Sequence, residues 1–280
     1  MSFFSRVPVI PVVRLSGPIG MAAPLRPGVS LATVAGPLQR AFTLSRHPAV
    51  AIAVNSPGGS PVQSHLICRR IRQLAEKHDK RVYVFCEDVA ASGGYFLALA
   101  GDEIYADPSS IVGSIGVISA SFGLTKAIER LGIERRVHTS GEMKSFLDPF
   151  LPEQPADVER LKAVQREIHD AFIAVVKERR GPKLQAPDAE LFTGAFWSGP
   201  RAHELGLVDG IGDMRATLHK VYGDNIRLRV VPLGGGGLLA RLRRMPAGSQ
   251  TPGLDTFPSG FADDIVSTLE VRALWARFGL

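Results

Sequence analysis

The sequence has no hydrophobic run that is long enough to cross a membrane as a helix. Such a helix needs about 20 mostly apolar residues, whereas the most apolar early stretch, VPVIPVVRL, is interrupted by Pro8, Pro11 and Arg14. The N-terminal MSFFSRVPVIPVVRLSGPIG also lacks the continuous apolar core of a secretory signal. We therefore expect a chain without a leader or a membrane anchor.

Cysteine is scarce as well, since Cys68 and Cys86 are the two cysteines in 280 residues. They show neither CxxC spacing nor paired histidines nearby, which argues against a metal site and against a disulfide framework. Both are predicted to be buried, reduced thiols. Together with the missing anchor, this favours a cytoplasmic protein.

Acidic residues are absent between Ile226 and Leu254, where arginines concentrate much of the net charge of +6. The arginines are Arg227, Arg229, Arg241, Arg243 and Arg244. Such a cluster is typical of a solvated tail, of peripheral contact with an anionic membrane or of nucleic-acid binding. Because no zinc-finger or RNA-recognition signature accompanies it, a nucleic-acid partner is not expected.

What the sequence does contain is an alternation of short β-branched runs with helical patterns. The predicted strands are VIPVVRL, AVAIAV, RVYVFCE, EIYAD, IGVISAS and RRVHT. Several of them are separated by helical patterns of crossover length. This alternation predicts an α/β fold, with βα units around a mainly parallel sheet.

Two helices are predicted from apolar residues that recur three and four positions apart. The first runs from about Pro61 to His78, and its apolar face is predicted to pack on the sheet. The second runs from about Ala156 to Arg180 and stops at Gly181-Pro182. The two apolar faces are Val62, Leu66, Ile67, Ile71 and Leu74 in the first helix, and Val158, Leu161, Val164, Ile168, Phe172 and Val175 in the second.

Composition divides the chain into three parts. Residues 1–232 are predicted to form the large α/β domain, residues 233–260 a Gly/Arg/Pro-rich linker, and residues 261–280 a C-terminal amphipathic helix. The terminal helix either docks on the domain or binds a partner or a membrane surface.

Two glycine-bearing turns follow apolar strands, in AVAIAVNSPGGSP and VYVFCEDVAASGGYF. Paired glycines let backbone N–H groups converge on an anion at the start of a helix. In acyl transfer that anion is the tetrahedral oxyanion, which needs donors beside the nucleophile. Ser92 is the candidate nucleophile, with N–H groups from Gly93 and from Gly58-Gly59. The alternative is that Ser92 only caps the helix GGYFLALA; a G-x-S-x-G elbow is absent.

A serine nucleophile needs a base, and two kinds of residue compete for that role. Among the seven histidines, His138 in RRVHTSGEMKS is the one in a strand close to a loop, although no motif marks it as catalytic. Lys144 lies in SGEMKSFLDPFLP, flanked by apolar residues that would lower its pKa if they buried it.

Four stretches occur in an order that resembles the serine peptidases of the signal peptide peptidase A family, peptidase family S49, to which protease IV and SohB belong. They are NSPGG, AASGGYFLALAGDEIYADPSSIVGSIGV, GEMKSFLDPF and LFTGAFWSGPRAHELGLVDGIG. The resemblance covers about Pro11 to Val221. It implies the ClpP/crotonase-like fold.

The resemblance also implies a serine endopeptidase with a Ser-Lys dyad and no metal or organic cofactor. Ser92 matches the nucleophile, Lys144 the general base and Ser114 the serine that orients this lysine. The implied substrates are apolar peptides such as cleaved signal peptides or unfolded segments. The implied oxyanion-hole residues are Gly93, Gly59 and, as their support, Gly58.

Relatives of this single-repeat size resemble assemblies in which the lysine of one protomer serves the serine of its neighbour. The expectation is therefore a homo-oligomer with shared sites. Three alternatives stay open: a crotonase-type acyl-CoA enzyme, a non-catalytic scaffold that binds apolar peptides, and a ClpP-like Ser-His-Asp peptidase.

Overall fold

The computed structural model describes residues 7–21, 28–141, 143–233 and 261–280, without the side chains of residues 261–267 and 270. Its strands are β1 (Val9–Ser16), β2 (Ala49–Ser56), β3 (Arg81–Ala91), β4 (Glu103–Ala106), β5 (Ile111–Gly113), β6 (Phe196–Ser198), β7 (Gly210–Ile211) and β8 (Arg227–Val230). Its α-helices are α1 (Leu31–Thr43), α2 (Pro61–His78), α3 (Gly93–Ala98), α4 (Thr125–Arg130), α5 (Pro155–Arg180), α6 (Asp188–Leu191), α7 (Gly199–Glu204), α8 (Met214–Tyr222) and α9 (Phe261–Ala276).

The strands form a single sheet in the order β6-β5-β3-β2-β1-β8, and β4 pairs with both β3 and β7. The pair β5–β6 is antiparallel and the other pairs are parallel. Every residue of β2 except Asn55 is buried, as expected for a central parallel strand that is covered on both faces. The mixed α/β fold with a mainly parallel sheet is confirmed.

The alternating side chains of the central strands supply two hydrophobic layers. Residues such as Ile52 and Val84 point to the larger layer, which α1, α2, α3 and the end of α5 cover. Residues such as Ala51 and Phe85 point to the opposite layer, where Leu218 of α8 packs. Because successive residues of a strand face opposite sides, a nearly continuous apolar run satisfies both layers at once.

Two predicted strands are wrong. IGVISAS and RRVHT form no strand, and β5 lies earlier, at Ile111–Gly113. Residues 118–121 and 135–139 are exposed, so their β-branched side chains have no neighbouring strand with which to pair. Helix α1 was missed, since its interior contains Pro37, a residue that usually ends a helix.

The described residues between Ile115 and Phe172 differ from the rest, because not one of them is buried. We call residues 116–171 the arm, and the described residues of 7–115 and 172–231 the body. The arm contains α4 and most of α5. Its apolar residues include Ile118 at 65%, Phe122 at 85% and Leu131 at 72% exposure. Monomeric proteins rarely leave so much apolar surface open to water.

Helix α5 fits the body only at its C-terminal end. Of its predicted apolar face, Phe172 is buried, whereas Val164 is 46% exposed. At the end of the helix Arg180 is buried, donates to the carbonyl of Gly206 and forms an ion pair with Asp209 at 2.7 Å. The body therefore buries only the C-terminal part of the predicted apolar face.

The structure also shows the state of the two cysteines and the packing of the last residues of the chain. Cys68 and Cys86 are free and buried, as predicted, and burial raises the pKa of each thiol to about 12. After α9, Phe278 packs against Val89 and Ala91 of β3. The predicted linker, with Arg241, Arg243 and Arg244, lies outside the described residues apart from Leu233, and the predicted domain boundaries stay predictions.

Candidate active site

Ser92 lies at the junction of β3 and α3 in an unusual backbone conformation, with φ +54° and ψ −122°. Such conformations cost on the order of 1–3 kcal/mol and persist where the surroundings enforce them. Here the N–H of Ser92 donates to the carbonyl of Gly113 at 2.8 Å, and its own carbonyl accepts from Phe96 N–H at 3.0 Å. The turn therefore holds a half-buried serine in a fixed, strained position.

The hydroxyl of Ser92 does not cap helix α3. Ser92 occupies the N-cap position, but its side chain makes no capping hydrogen bond. The interpretation of Ser92 as a helix cap is therefore wrong for this hydroxyl, which is left available for another role.

The two glycine-bearing turns meet beside Ser92. A Cβ atom placed on Gly58 would lie 2.8 Å from the Cβ of Ser92 and 2.9 Å from the nitrogen of Gly93. A Cβ on Gly93 would lie 3.3 Å from the nitrogen of Gly59. Within the described residues, the N–H groups of Gly59 and Gly93 donate no hydrogen bond. Two free donors therefore lie next to the candidate nucleophile, as an oxyanion hole requires.

Buried serines on both sides brace these turns. Ser56 is fully buried, and its Oγ accepts from Gly58 N–H at 3.2 Å. Ser64, also fully buried, donates to the carbonyl of Ser60 at 2.8 Å, and a Cβ on Gly93 would come within 2.5 Å of its Oγ. Sequence reasoning missed both serines, because a small polar residue inside a turn has no distinctive pattern.

Asn55 fixes the strand that carries Ser92. Its Nδ2 donates to Asp88 at 2.6 Å, and its Oδ1 accepts from Val89 N–H at 3.3 Å. The pairing of β2 with β3 shifts register at this point, between Val54 and Ser56. The irregularity therefore lies directly before Ser92, and β-bulges are common next to active sites.

Ser114 lies next to the same turn. It is 7% exposed, has φ +53°, and its N–H donates to the carbonyl of Ala195 at 2.7 Å. The residue before it, Gly113, accepts the N–H of Ser92. Ser92 and Ser114 are therefore connected through one backbone hydrogen bond.

An apolar cleft of about 260 Å³ opens beside Ser92 and Gly93. Its lining residues include Val62, Leu66, Phe96, Val117, Ile168, Ala171 and Phe172. Val62 and Leu66 were predicted to pack on the sheet, but they are 64% and 38% exposed. They face the cleft instead, so part of the apolar face of α2 belongs to the site and not to the core.

The histidine that lines this cleft is His65, on α2. It is exposed, with its ring 5.6 Å from that of Phe96. His138, which was singled out instead, is exposed in the arm and does not line the cleft. The Ser-His-Asp alternative therefore finds no support at His138.

The structure does not place Lys144 in the cleft beside Ser92. It lies in the arm, it is exposed, and it is not among the residues that line the cleft. Its neighbours Met143 and Phe146 are 46% and 36% exposed. The apolar burial expected from the sequence around this lysine is therefore not provided by its own chain.

Two further findings concern ligands and membranes. The described residues contain no group of three or more His, Cys, Asp or Glu side chains that could hold a metal ion. None of the helices in the described ranges combines the length and the apolar character that crossing a membrane requires.

The fold and the cleft define a class of α/β protein in which a half-buried serine lies beside two free backbone N–H groups, and sequence comparison gives its family. The model of Peptidase family S49 matches residues 74–224, more than half of the chain. The chain therefore belongs to peptidase family S49, and its sheet is that of the ClpP-like α/β fold.

Several curated proteins are similar to this chain. The Na(+)/H(+) antiporter NhaA of Brucella abortus is 54% identical over 274 residues, which are 97% of this chain and 37% of that protein. The chloroplastic serine protease SPPA of Arabidopsis thaliana is 29% identical over 92% of this chain and 41% of its own length. Protease 4 of Haemophilus influenzae is 32% identical over 67% and 30%, respectively. This chain thus spans less than half the length of each of these relatives.

Proposed function

We propose that this chain is a serine endopeptidase in which Ser92 attacks the peptide bond. The observation that carries the proposal is the position of Ser92, with an uncommitted hydroxyl and strained φ, between the free N–H groups of Gly59 and Gly93. Membership of peptidase family S49 supports the same reaction. The antiporter activity in the name of the Brucella abortus relative is not proposed for this chain, because the matched segment is 37% of that protein.

In the proposed reaction, Oγ of Ser92 attacks the carbonyl carbon of the substrate while the neutral amine of Lys144 takes the hydroxyl proton. The carbonyl oxygen becomes an oxyanion that accepts from Gly59 and Gly93. Lysine then gives the proton to the amide nitrogen as the C–N bond breaks, which leaves an ester on Ser92. Water attacks this ester, lysine takes the proton of the water, and the proton returns to Oγ as the acid departs.

Lys144 would come from a neighbouring copy of the chain. The arm that carries it exposes Phe122, Leu131 and Ile133, at 85%, 72% and 55%, and apolar surface of this kind is typical of an interface. Packing of the arm on a second protomer would bury the apolar flank of Lys144 and favour its neutral form. Ser114, almost fully buried beside the Ser92 turn, would then accept or donate a hydrogen bond to orient the lysine.

The proposed substrates are extended apolar peptides. The cleft beside Ser92 is lined mainly by aliphatic and aromatic side chains, and its volume of about 260 Å³ suits one apolar side chain of the substrate. Cleaved signal peptides and unfolded segments have this chemistry.

The test is cleavage of a signal-peptide-like substrate, followed by mass spectrometry, with wild type, Ser92→Ala and Lys144→Ala. Each protein is first checked for folding and assembly. Cleavage by wild type alone is expected. Cleavage by all three proteins would point to a different nucleophile, and an intact substrate in every sample would favour a peptide-binding scaffold or an acyl-CoA enzyme.

We also propose peripheral contact with an anionic membrane, from the cytoplasmic side. Arg227 and Arg229 are exposed on the edge strand β8, just before the arginine-containing segment. Co-sedimentation with anionic liposomes should fall when the chain is truncated after Leu233, because the truncation removes Arg241, Arg243 and Arg244 and leaves Arg227 and Arg229. Equal sedimentation of the truncated chain would refute this contact.

A further inference from the structure

His169 joins the arm to the active-site wall through a contact that the proposed reaction does not use. Its Nε2 lies 3.1 Å from the carbonyl oxygen of Ile115, a residue 54 positions earlier in the chain. Because a carbonyl oxygen can only accept, Nε2 must carry the hydrogen. The half-buried imidazole therefore donates to the backbone directly after Ser114.

The carbonyl that His169 binds belongs to a rigid part of the site. Ile115 is fully buried, and Ser114 before it is held by the carbonyl of Ala195 at 2.7 Å. Gly113, one residue earlier, accepts the N–H of Ser92. A short stretch of backbone thus connects His169 to both serines of the proposed mechanism.

The neighbours of His169 on α5 form one wall of the cleft. Ile168, Ala171 and Phe172 line it, and Val117, two residues after Ile115, lines it as well. The ring of Phe172 stacks on that of Phe96, with 4.8 Å between centroids. The hydrogen bond of His169 therefore spans the place where α5 and the segment after Ser114 enclose the cleft.

This place is also where the arm leaves the body. From Phe172 onward α5 is held by buried side chains and by Arg179, which donates to the carbonyls of Leu99 and Gly101. Before His169, none of the described residues of α5 is buried. The imidazole is thus the outermost described polar tie between α5 and the segment of Ser114.

We infer that His169 is a positioning residue: its Nε2–H holds the segment Ser114–Val117 against α5 and so sets the place of Ser114 and the width of the cleft. This inference rests on the proposed function. It needs a hydrogen-bond donor at position 169 and not a titrating base, so an amide donor can replace the imidazole.

The test compares His169→Gln, which keeps a donor of similar reach, with His169→Leu, which removes the donor but retains bulk. His203→Leu, at an exposed histidine of α7, is the matched control. Loss of one such hydrogen bond should lower kcat/KM by roughly tenfold in His169→Leu, mainly through kcat, while His169→Gln and the control stay within about threefold of wild type.

Hydrogen exchange of the segment 111–117 supplies a readout that does not depend on catalysis. Exchange should rise in His169→Leu and stay near wild type in His169→Gln. Wild-type rates and exchange in His169→Leu would overturn the inference, and equal loss of activity in both variants with normal exchange would make His169 an acid or base. If wild type itself shows no cleavage that depends on Ser92, the proposed function fails, while the exchange result still decides the positioning role.

Discussion

The body and the arm of this chain differ in the burial of their apolar side chains. In the body, central strands such as β2 bury nearly every side chain, and the candidate nucleophile stands on a turn fixed by backbone hydrogen bonds. In the arm, none of the described residues is buried, and the apolar side chains face water. Under the proposed function, one chain would provide the nucleophile and the oxyanion hole, and a second copy would supply the base.

The largest effect is expected from a charge on the arm. Leu131→Asp should dissociate the assembly and reduce cleavage to the level of Ser92→Ala, about 10⁴-fold or more below wild type, because an interface cannot bury an unpaired carboxylate. Size-exclusion chromatography with light scattering and a peptide assay measure both changes. Val221→Asp, at an exposed position of the body (46% exposed), is the control. An active, fully assembled Leu131→Asp protein would contradict the proposal that the arm packs on a second copy of the chain.

Adding a methyl group at Gly59 tests the part of the proposed active site that lies in the body. Gly59 has φ +140°, and a Cβ there would lie 2.2 Å from the carbonyl oxygen of Ile19, so Gly59→Ala must displace the turn and its N–H. Loss of one oxyanion donor costs about 10²–10³ in kcat. Gly36→Ala, in helix α1, where a Cβ would make an ordinary contact of 3.5 Å with Nη1 of Arg40, should leave the rate unchanged. A full rate in Gly59→Ala would exclude this N–H as an oxyanion donor.

A substitution at Asp209 tests how strongly the body stabilises the C-terminal end of α5. Burial opposes ionisation of Asp209, but the bonds from Arg180, Lys183 and the N–H of Ile104 outweigh it and lower its pKa below 3.8. Asp209→Asn leaves Arg180 buried without its counter-ion, so the free energy of unfolding should fall by about 3 kcal/mol at pH 7.

The pH dependence of this loss has a defined sign. A lowered pKa in the folded state stabilises the protein above the unfolded pKa of 3.8, and the stabilisation disappears as pH falls through the folded value. The free energies of unfolding of wild type and Asp209→Asn, measured with urea, should therefore converge as the pH falls from 7 to below 3.8 and through the folded value. A constant difference between pH 7 and pH 3 would mean that packing, and not charge, accounts for the loss.

The smallest effect is expected at His65, in the cleft but outside the proposed dyad. His65→Gln should change kcat/KM by less than about threefold, since the mechanism assigns no proton transfer to it. A peptide assay across pH 5–9 measures this. A loss comparable to that of Ser92→Ala would instead favour a histidine base.

The body was largely predictable from sequence and the arm was not. The runs AVAIAV and RVYVFCE and the face of α2 indicated a parallel sheet, because burial on both faces leaves a continuous apolar signature. The position of Ser92 between small residues pointed to the turn. In contrast, IGVISAS was wrongly predicted to be a strand. The apolar face of α5 is buried by the body only near its C-terminal end. Periodicity indicates that a helix face is suited to burial, but it does not identify the surface that buries it.

The long-range contacts that position the site residues could not be predicted from the sequence either. The links from His169 to Ile115 and from Asn55 to Asp88 join residues 54 and 33 positions apart, and no local pattern encodes such pairs. The exposure of Val62 and Leu66 depends on the shape of the cleft and not on the period of α2.

The central claim is that the active site is completed between two copies of the chain, and mixing inactive subunits tests it most directly. Ser92→Ala and Lys144→Ala proteins are each assayed alone, then together after subunit exchange has been demonstrated with differently labelled chains. The account predicts recovered cleavage in the mixture, from sites that combine an intact Ser92 with the intact Lys144 of its neighbour. No recovery despite proven exchange would contradict it and place the base within the same chain.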